Sequence, residues 1–524
     1  MITSTAEGWN MSASSEVRAP AGEQDGSTGT PRRVWIGRFL GPLLALLTYA
    51  LLSGDSSLST PARTTAAVVV LVAVWWMTEA LPLPATSLIP IVAFPLLGIL
   101  EIGEATAPFA HPTVFLYMGG FIIALAMQKW NLHKRIALLT MRAIGTRPSR
   151  LILGIMVATA FISMWVNNTA TALMMLPIGT SVLAMVMAQN DDGDEQAATD
   201  RANFATALML SIAYSASIGG LATLVGSLPN LIMKGFVEQT YGVTIGFVDW
   251  MKLGVPVTVL FLGFTWFYLT RIAFRVNLSN VAGGQDAVRE ELAKLGPMSR
   301  GEWSVLVVFV STAFLWLFRD QLTGWTALTD LLPFVARLTD EGIAITAAVA
   351  LFLIPVRPRQ GEQAMDWRTA QEGIPWGVLL LFGGGLSLAL AVQTTGLSAY
   401  IGDRMSGLGV LPTVLLVAAV CGTILLVTEL VSNTATASTF LPVLGGVAVS
   451  LGIDPLLLLV PAALACTCSF MLPVGTPPNA IVFGSGYITL PQMVKAGVWL
   501  NIFGVLMITA LIMVIGPWAL GIQL

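Results

Sequence analysis

Stretches of roughly 20 apolar residues, the length a helix needs to cross a bilayer, recur along almost the whole chain. They fall at 35–53, 64–81, 84–100, 113–129, 151–187, 203–234, 253–274, 303–318, 341–355, 375–393, 411–450, 455–484 and 493–520. Only 10% of the 524 residues are charged, against about 25% in a soluble domain. In hydrocarbon the backbone must satisfy its own hydrogen bonds, so these runs are read as helices. Gly (50) and Pro (28) are plentiful, as expected where spanning helices pack closely or break.

Two segments, 151–187 and 411–450, are too long for one crossing, and each has polar residues and a Thr-Ala-Thr run near its middle. Two arrangements fit: a pair of full crossings, or a hairpin that enters and leaves on one side. Cytoplasmic loops carry an excess of Lys and Arg. The segment 129–150 holds Lys129, Lys134, Arg135, Arg142, Arg147 and Arg150 with no acid, and Arg32, Arg33 and Arg38 precede the first span. Both are placed inside, with four crossings between them. The linker at 276–302, just after Arg271 and Arg275, and the segment 356–374 follow on the same side, and the C-terminus ends outside. All but six of the 26 Lys and Arg residues then lie inside; the six are Arg63, Lys234, Lys252, Arg319, Arg337 and Arg404. Either arrangement of the long segments gives the same loop sides, so charge fixes orientation and not hairpin depth. Residues 1–34 begin polar and rich in Gly, Ser and Thr, and are expected to be a disordered cytoplasmic tail without a cleavable signal.

The chain repeats itself. Val166-Asn167-Asn168-Thr169-Ala170-Thr171-Ala172 returns as Val431-Ser432-Asn433-Thr434-Ala435-Thr436-Ala437, an offset of 265, and both copies run on to Leu-Pro. Upstream, Gly119-Gly120 and Leu125-Ala126-Met127-Gln128 match Gly384-Gly385 and Leu390-Ala391-Val392-Gln393 at the same offset. Downstream, Gly226-Ser227-Leu228-Pro229-Asn230 resembles Gly475-Thr476-Pro477-Pro478-Asn479 at an offset of 249, the difference absorbed by a shorter loop. One hairpin opens from inside and the other from outside, so the repeats are inverted, with a site expected at their interface near the midplane. The fold class expected is an all-α polytopic membrane protein. It is an inverted-repeat transporter with about 11 spanning helices and two re-entrant hairpins. After a first span over 35–63, the halves cover 64–275 (hairpin 151–187, broken helix 203–234) and 303–524 (hairpin 411–450, broken helix 455–484).

Gly and Pro in the middle of a span break its hydrogen-bond ladder, which lipid tolerates only where the freed groups face protein or a wet cavity. Both Gly-Ser/Thr-x-Pro-Asn stretches therefore read as unwound points. Each freed carbonyl can ligate a hard cation, and the half-helix that follows points its amides at an anion. No Arg, Lys or His falls inside either hairpin or either broken core, Lys234 marking the end of the first. An anion held there depends on amides, hydroxyls, helix dipoles and co-bound cations. That is a physical reason to expect coupling to Na⁺. A membrane potential adds about 2.3 kcal/mol per charge per 100 mV.

At these residues the sequence resembles the divalent anion/sodium symporter family, which moves di- and tricarboxylates or sulfate, over most of residues 40–520. The resemblance implies Na⁺-coupled symport of dicarboxylates such as succinate, fumarate or malate. It also implies a plasma-membrane homodimer in which a transport domain moves against a scaffold, as an elevator does. Carried over by position, a first Na⁺ site would use Ser163, Asn167, Asn168 and the Gly226 carbonyl. A second would use Thr428, the Val431 carbonyl, Asn433 and the Gly475 carbonyl. Substrate would meet Asn168, Thr169, Ser227, Ser432, Asn433, Thr434, Thr476 and Pro477. This chain departs from the family in reading Asn-Asn-Thr, not Ser-Asn-Thr, in the first motif, so that Asn167 replaces a hydroxyl with an amide.

Glu429, next to Thr428, is a charge at membrane depth. Such a group is either functional or a carboxylate that braces the hairpin, and bracing is the favoured reading. Glu79 reads as a capping or solvated acid at a helix end, His111 as structural, and Trp75 and Trp76 as packing or interface anchors. Asp249 and Lys252 read as outer-surface charges. Cys421, Cys466 and Cys468 lie in apolar runs without a CxxC pair, so neither metal nor redox chemistry is expected. No catalytic set is legible, and a net charge of −3 gives no footprint for nucleic acid. An exchanger or a sulfate or tricarboxylate carrier on the same scaffold is the alternative transporter reading; a membrane-embedded enzyme is the alternative class.

Overall fold

A computed structural model describes residues 32–145, 147–187, 195–276, 284–405 and 411–524. Nearly all of the expected tail and the acidic stretch at 188–194 lie outside the described residues. The first half contains α1 (Arg32–Ser53), α2 (Thr60–Thr78), α3 (Ile89–Leu96), α4 (Pro112–Lys129), α5 (Leu132–Ile144), α6 (Pro148–Ser163), α7 (Asn168–Met187), α8 (Glu195–Gly219), α9 (Leu228–Tyr241) and α10 (Phe247–Phe267). After α11 (Gly284–Leu295) come α12 (Arg300–Gly324), α13 (Asp340–Leu353), α14 (Trp376–Thr394), α15 (Leu397–Met405), α16 (Thr413–Thr428), α17 (Asn433–Ser450), α18 (Leu456–Thr467), α19 (Pro477–Phe483) and α20 (Leu490–Leu520). The only sheet among the described residues is a two-stranded ribbon at 355–363.

Eight helices among the described residues are long and apolar enough to cross a membrane. The remaining apolar segments are shorter pieces, for identifiable reasons. The expected span at 84–100 is split into Leu83–Thr86 and α3, because Pro84, Pro90 and Pro95 interrupt it. The segment at 341–355 stops at Leu353, two residues before Pro355.

The sequence offset reappears as geometry. The helix α6 starts at Pro148 and α16 at Thr413, α7 at Asn168 and α17 at Asn433, α5 at Leu132 and α15 at Leu397, each pair 265 residues apart. The residues that turn the chain into α5 and α15 also correspond. Asn131 (φ 57°) and Gly396 (φ 76°) are both left-handed, a conformation that glycine adopts freely and asparagine tolerates.

Each long segment is a helical hairpin: α6 turns into α7 within residues 164–167, and α16 into α17 within 429–432. Each following helix is broken, α8 from α9 by residues 220–227 and α18 from α19 by 468–476. The halves interlock. The helix α9 packs on α17 and α18 of the second half, and α19 packs on α7 and α8 of the first. Both breaks therefore lie in the middle of the helical mass, and almost every residue from Phe204 to Val237 is buried.

The loops that charge counting assigns to one side do gather together. Lys129 Nζ lies 2.9 Å from Asp366, and Trp130 Nε1 donates to the Ala364 carbonyl at 2.7 Å. Arg135 donates to both carboxylate oxygens of Glu302, at 2.6 and 3.3 Å. These contacts join 129–150, the start of α12 and 356–374 on one face. Elsewhere, Asp55 accepts from Arg404, from Tyr400 at 2.9 Å through its hydroxyl, and its carbonyl accepts from Arg63 at 2.7 Å. Two residues of the minority set, Arg63 and Arg404, therefore share one partner. Asp249 and Lys252 pair with each other at 2.7 Å.

Candidate functional site

The eight residues expected to meet substrate stand at four helix starts. Asn168 and Thr169 open α7, and Ser227 is the residue before α9. Ser432, Asn433 and Thr434 open α17, and Thr476 and Pro477 open α19. A helix start exposes unpaired N–H groups and the positive end of the dipole, which suits an anion at α7 and α17; α9 and α19 carry proline in their first two positions, so there the hydroxyls of Ser227 and Thr476 are the donors on offer. Ser227, Thr434 and Thr476 are buried, the two Asn side chains are half-buried and Pro477 is exposed. The Ser227 and Thr467 hydroxyls share a hydrogen bond of 2.7 Å, which brings the start of α9 to the end of α18. The two halves thus touch at the breaks, through a partner, Thr467, that no repeat comparison singles out.

Of the residues expected to hold cations, Ser163 and Thr428 end helices, Asn168 and Asn433 open them, and the others lie in the turns and breaks between. Ser163 ends α6, and its hydroxyl lies within hydrogen-bond distance of Asn168 Oδ1 (2.8 Å) and of the Ala216 carbonyl (2.6 Å). Thr428 ends α16, and its hydroxyl lies likewise near Asn433 Oδ1 (2.8 Å) and the Cys466 carbonyl (2.8 Å), the one hydrogen serving either acceptor. Both hydroxyls are fully buried. Around the first set the oxygens are crowded. With its nitrogen on that side, the Asn168 amide donates to the Ala216 carbonyl (3.0 Å), the Gly226 carbonyl (3.2 Å) and the Ser163 hydroxyl (2.8 Å). With its oxygen there it would face two carbonyl oxygens, which is repulsive unless a cation lies among them. A Cβ on Gly226 would come within 2.8 Å of the Gly220 oxygen and 3.0 Å of the Ser163 oxygen, and one on Gly220 within 2.5 Å of Asn168 Oδ1. Glycine is what keeps this oxygen-lined space open.

With the Asn168 oxygen on that side, no hydrogen bond among the described residues ends on the carbonyl oxygen of Gly226, nor on that of Gly475. Asn167 is placed differently from a simple ligand. Its Oδ1 accepts from the Ala170 amide at 2.8 Å, capping the first turn of α7.

Glu429 braces the second hairpin. Its carboxylate is 3% exposed. It accepts from the Ser469 hydroxyl (2.9 Å), the amides of Phe470 (2.8 Å), Met471 (3.0 Å) and Leu472 (3.1 Å), and Asn501 Nδ2 (2.7 Å). Three successive amides aimed at one carboxylate form an anion nest, so the hairpin turn is fastened to the second break. The same junction exists in the first half with other chemistry. Position 164, the counterpart of 429, is Met164, and its carbonyl accepts from the hydroxyl of Thr223.

Sequence reasoning missed the side chains that close the breaks. Asn230 Nδ2 donates to the Gly220 (3.1 Å) and Thr223 (2.9 Å) carbonyls. Asn479 Nδ2 donates to those of Ser469 (3.1 Å) and Leu472 (3.0 Å). Trp250 Nε1 serves the Leu221 carbonyl at 3.0 Å, and the Tyr214 hydroxyl serves that of Phe470 at 2.9 Å. The signal for the asparagines was present, since both end the matched Gly-x-x-Pro-Asn stretch. The other two donors come from elements that repeat comparison does not align. The remaining singled-out residues are structural. His111 Nδ1 accepts from the Thr113 amide at the start of α4 (3.3 Å). Trp76 is 1% exposed and donates to Ser87. Glu79 is the left-handed residue that ends α2. The three cysteines are buried and free, and no metal-holding cluster of His, Cys, Asp or Glu occurs among the described residues.

The chain is similar to known proteins in sequence and in fold. The family described as sodium:sulfate symporter transmembrane region matches residues 34–522. A sodium-dependent dicarboxylate transporter, SdcS, of Staphylococcus saprophyticus is 40% identical over 492 residues, covering 93% of this chain and 92% of that one. Its namesake in Staphylococcus aureus strain MRSA252 is 41% identical over 490 residues, with the same coverage. Two solved structures share the fold at low identity. The YdaH transporter of Alcanivorax borkumensis has a TM-score of 0.54 at 14% identity, over 86% of this chain and 98% of that one. MtrF of Neisseria gonorrhoeae has 0.52 at 12%, over 89% and 96%. Matched along nearly its whole length, the chain belongs to the sodium:sulfate symporter family.

Proposed function

We propose that this protein is a secondary active transporter that couples Na⁺ entry to the uptake of dicarboxylates such as succinate, fumarate and malate. The observation that carries this reading is the pairing of the glycine carbonyls. Gly226 lies against the Ser163 carbonyl and Gly475 against that of Glu429, the residue after Thr428; both breaks adjoin helix starts that suit an anion, and neither holds a cationic side chain. Neutral dipoles hold the single carboxylate of Glu429, but a dianion brings a second charge whose burial is costly without the compensation of a cation beside it. Na⁺ at the Ser163–Asn167–Asn168–Gly226 and Thr428–Val431–Asn433–Gly475 sets supplies it, and both ions are cargo. The substrate's carboxylates meet the hydroxyls and amides at the four helix starts. The curated relatives' names, sodium-dependent dicarboxylate transporter, support dicarboxylate over sulfate.

In this reading the halves are inverted in a plasma membrane, with the N-terminus and the Lys129–Asp366 face in the cytoplasm and the C-terminus outside. The hairpins, broken helices, α10 and α20 form a body that moves as an elevator against a scaffold of α1–α4 and α12–α14, in a homodimer. Its work is translocation and not catalysis. The test is uptake of labelled succinate by the purified protein in vesicles under an inward Na⁺ gradient, with and without excess fumarate, malate, citrate or sulfate. Fumarate and malate should compete. Asn433→Ala should abolish uptake while leaving the protein folded. Normal uptake by that variant, or competition by sulfate alone, refutes the assignment; uptake only into dicarboxylate-loaded vesicles makes the protein an exchanger.

A further inference from the structure

The two breaks are closed by the same device. Asn230 is the third residue of α9 and Asn479 the third of α19, and each sends both amide hydrogens back across its break. The acceptors lie ten and seven residues earlier in both halves. Together with Trp250 and Tyr214, these asparagines satisfy the carbonyls at 220, 221 and 223 in the first break and at 469, 470 and 472 in the second, which are equivalent positions. Both asparagines are 0% exposed, and both leave the amide oxygen buried without a hydrogen-bond partner. A buried amide left half unsatisfied is destabilising, because its oxygen loses water without gaining a partner. A residue kept only for stability would not incur that loss twice at matching positions.

We propose that Asn230 and Asn479 are positioning residues for the two Na⁺ sites, a proposal that rests on the Na⁺-coupled reading above. By engaging the carbonyls on the upstream side of each break, they leave those of Gly226 and Gly475 as the ones available to a cation. They also fix the loops that carry them. The need is physical. The first break contains Gly219, Gly220 and Gly226, residues with the greatest backbone freedom, and the Gly220 oxygen lies against Gly226. Without Asn230, the Gly220 carbonyl is released into the space that the Gly226 carbonyl serves.

The experiment uses the full-length protein in vesicles and in detergent, with Asn230→Asp and Asn479→Asp, which keep the shape and remove both donors. Asn230→Ser and Asn479→Ser, which keep one donor, accompany them. Loss of an outer partner commonly lowers metal affinity 10–100-fold, so the Na⁺ concentration for half-maximal succinate uptake should rise about tenfold or more in the Asp variants. The KM for succinate at saturating Na⁺ should stay close to wild type. The melting temperature in choline should fall in the Asp variants, whose carboxylate faces two carbonyl oxygens, and less in the Ser variants; in every variant the further rise produced by Na⁺ should be smaller than in wild type. Ser387→Ala removes a buried hydroxyl that donates to the Ala105 carbonyl in the scaffold, and should leave Na⁺ dependence unchanged. A folded Asp variant with wild-type Na⁺ dependence overturns the proposal. So does a failure of all four variants to fold, which makes the pair structural. Wild-type protein without Na⁺-dependent uptake instead refutes the symport reading itself.

Discussion

The pair Asn168 and Asn433 shows how much rests on one amide. Each lies 2.8 Å from a hydroxyl at the end of the preceding helix, and the Asn168 amide also reaches the carbonyls of Ala216 and Gly226. Their neighbours differ, and the differences make predictions. Asn167 caps α7 through its side-chain oxygen, a task serine performs equally well. Asn167→Ser should therefore fold and transport; a folded but inactive variant would show that the amide has a role of its own. Glu429 is the opposite case. Its five donors all need an acceptor, and a glutamine would present an NH₂ to some of them. Truncating a buried, hydrogen-bonded charge costs about 3–5 kcal/mol when its partners are stranded. Glu429→Gln should lower the melting temperature sharply and impair uptake, while Met164→Leu in the equivalent position should do neither. Equal melting temperatures for Glu429→Gln and wild type would show that the nest is not needed.

At the scale of elements, the hairpins are alike in helix length and turn but not in seating. Trp165, in the first turn, stacks on Phe247 (6.0 Å between centroids), meets Phe309 edge-on (5.0 Å) and lies parallel to Trp316 (6.3 Å). Phe309 and Trp316 belong to α12, so the first hairpin tip is held against a helix of the second half. Its counterpart Leu430 is 70% exposed. Replacing a packed tryptophan by alanine costs about 3–5 kcal/mol, so Trp165→Ala should depress thermal stability markedly and Leu430→Ala scarcely at all. Equal effects would mean that the aromatic cluster contributes no seating. The hairpins and breaks themselves were legible in the sequence, because Asn-Thr, Leu-Pro and Gly-x-x-Pro-Asn recur at fixed offsets and Pro and Gly have few other uses inside an apolar helix. The seating was not legible. Whether an aromatic residue at a turn meets lipid or a partner depends on a helix more than a hundred residues away, and nothing near Trp165 encodes Phe309.

For the whole molecule, apolar runs announced a membrane protein, and charge counting sorted loops into groups that the Lys129–Asp366 and Arg135–Glu302 contacts bear out as neighbours. The number of full spans was less legible. Closely spaced prolines split the 84–100 run, and eight helices in the described residues meet the length for a crossing. The interlocking of α9 with α17 and of α19 with α7 also escaped sequence reasoning, since it sets residues some 200 to 300 positions apart against each other. That interlock puts both breaks in one place. In the proposed reading, that is what lets co-transported Na⁺ and a dianion share a site without a cationic side chain. The central claim is that Na⁺ replaces that side chain, and it is tested most directly by reconstituting the protein in sealed vesicles and following labelled succinate. The account predicts concentrative uptake under an inward Na⁺ gradient, collapsing when the gradient is dissipated and absent when choline replaces Na⁺. Equal accumulation in choline would contradict it.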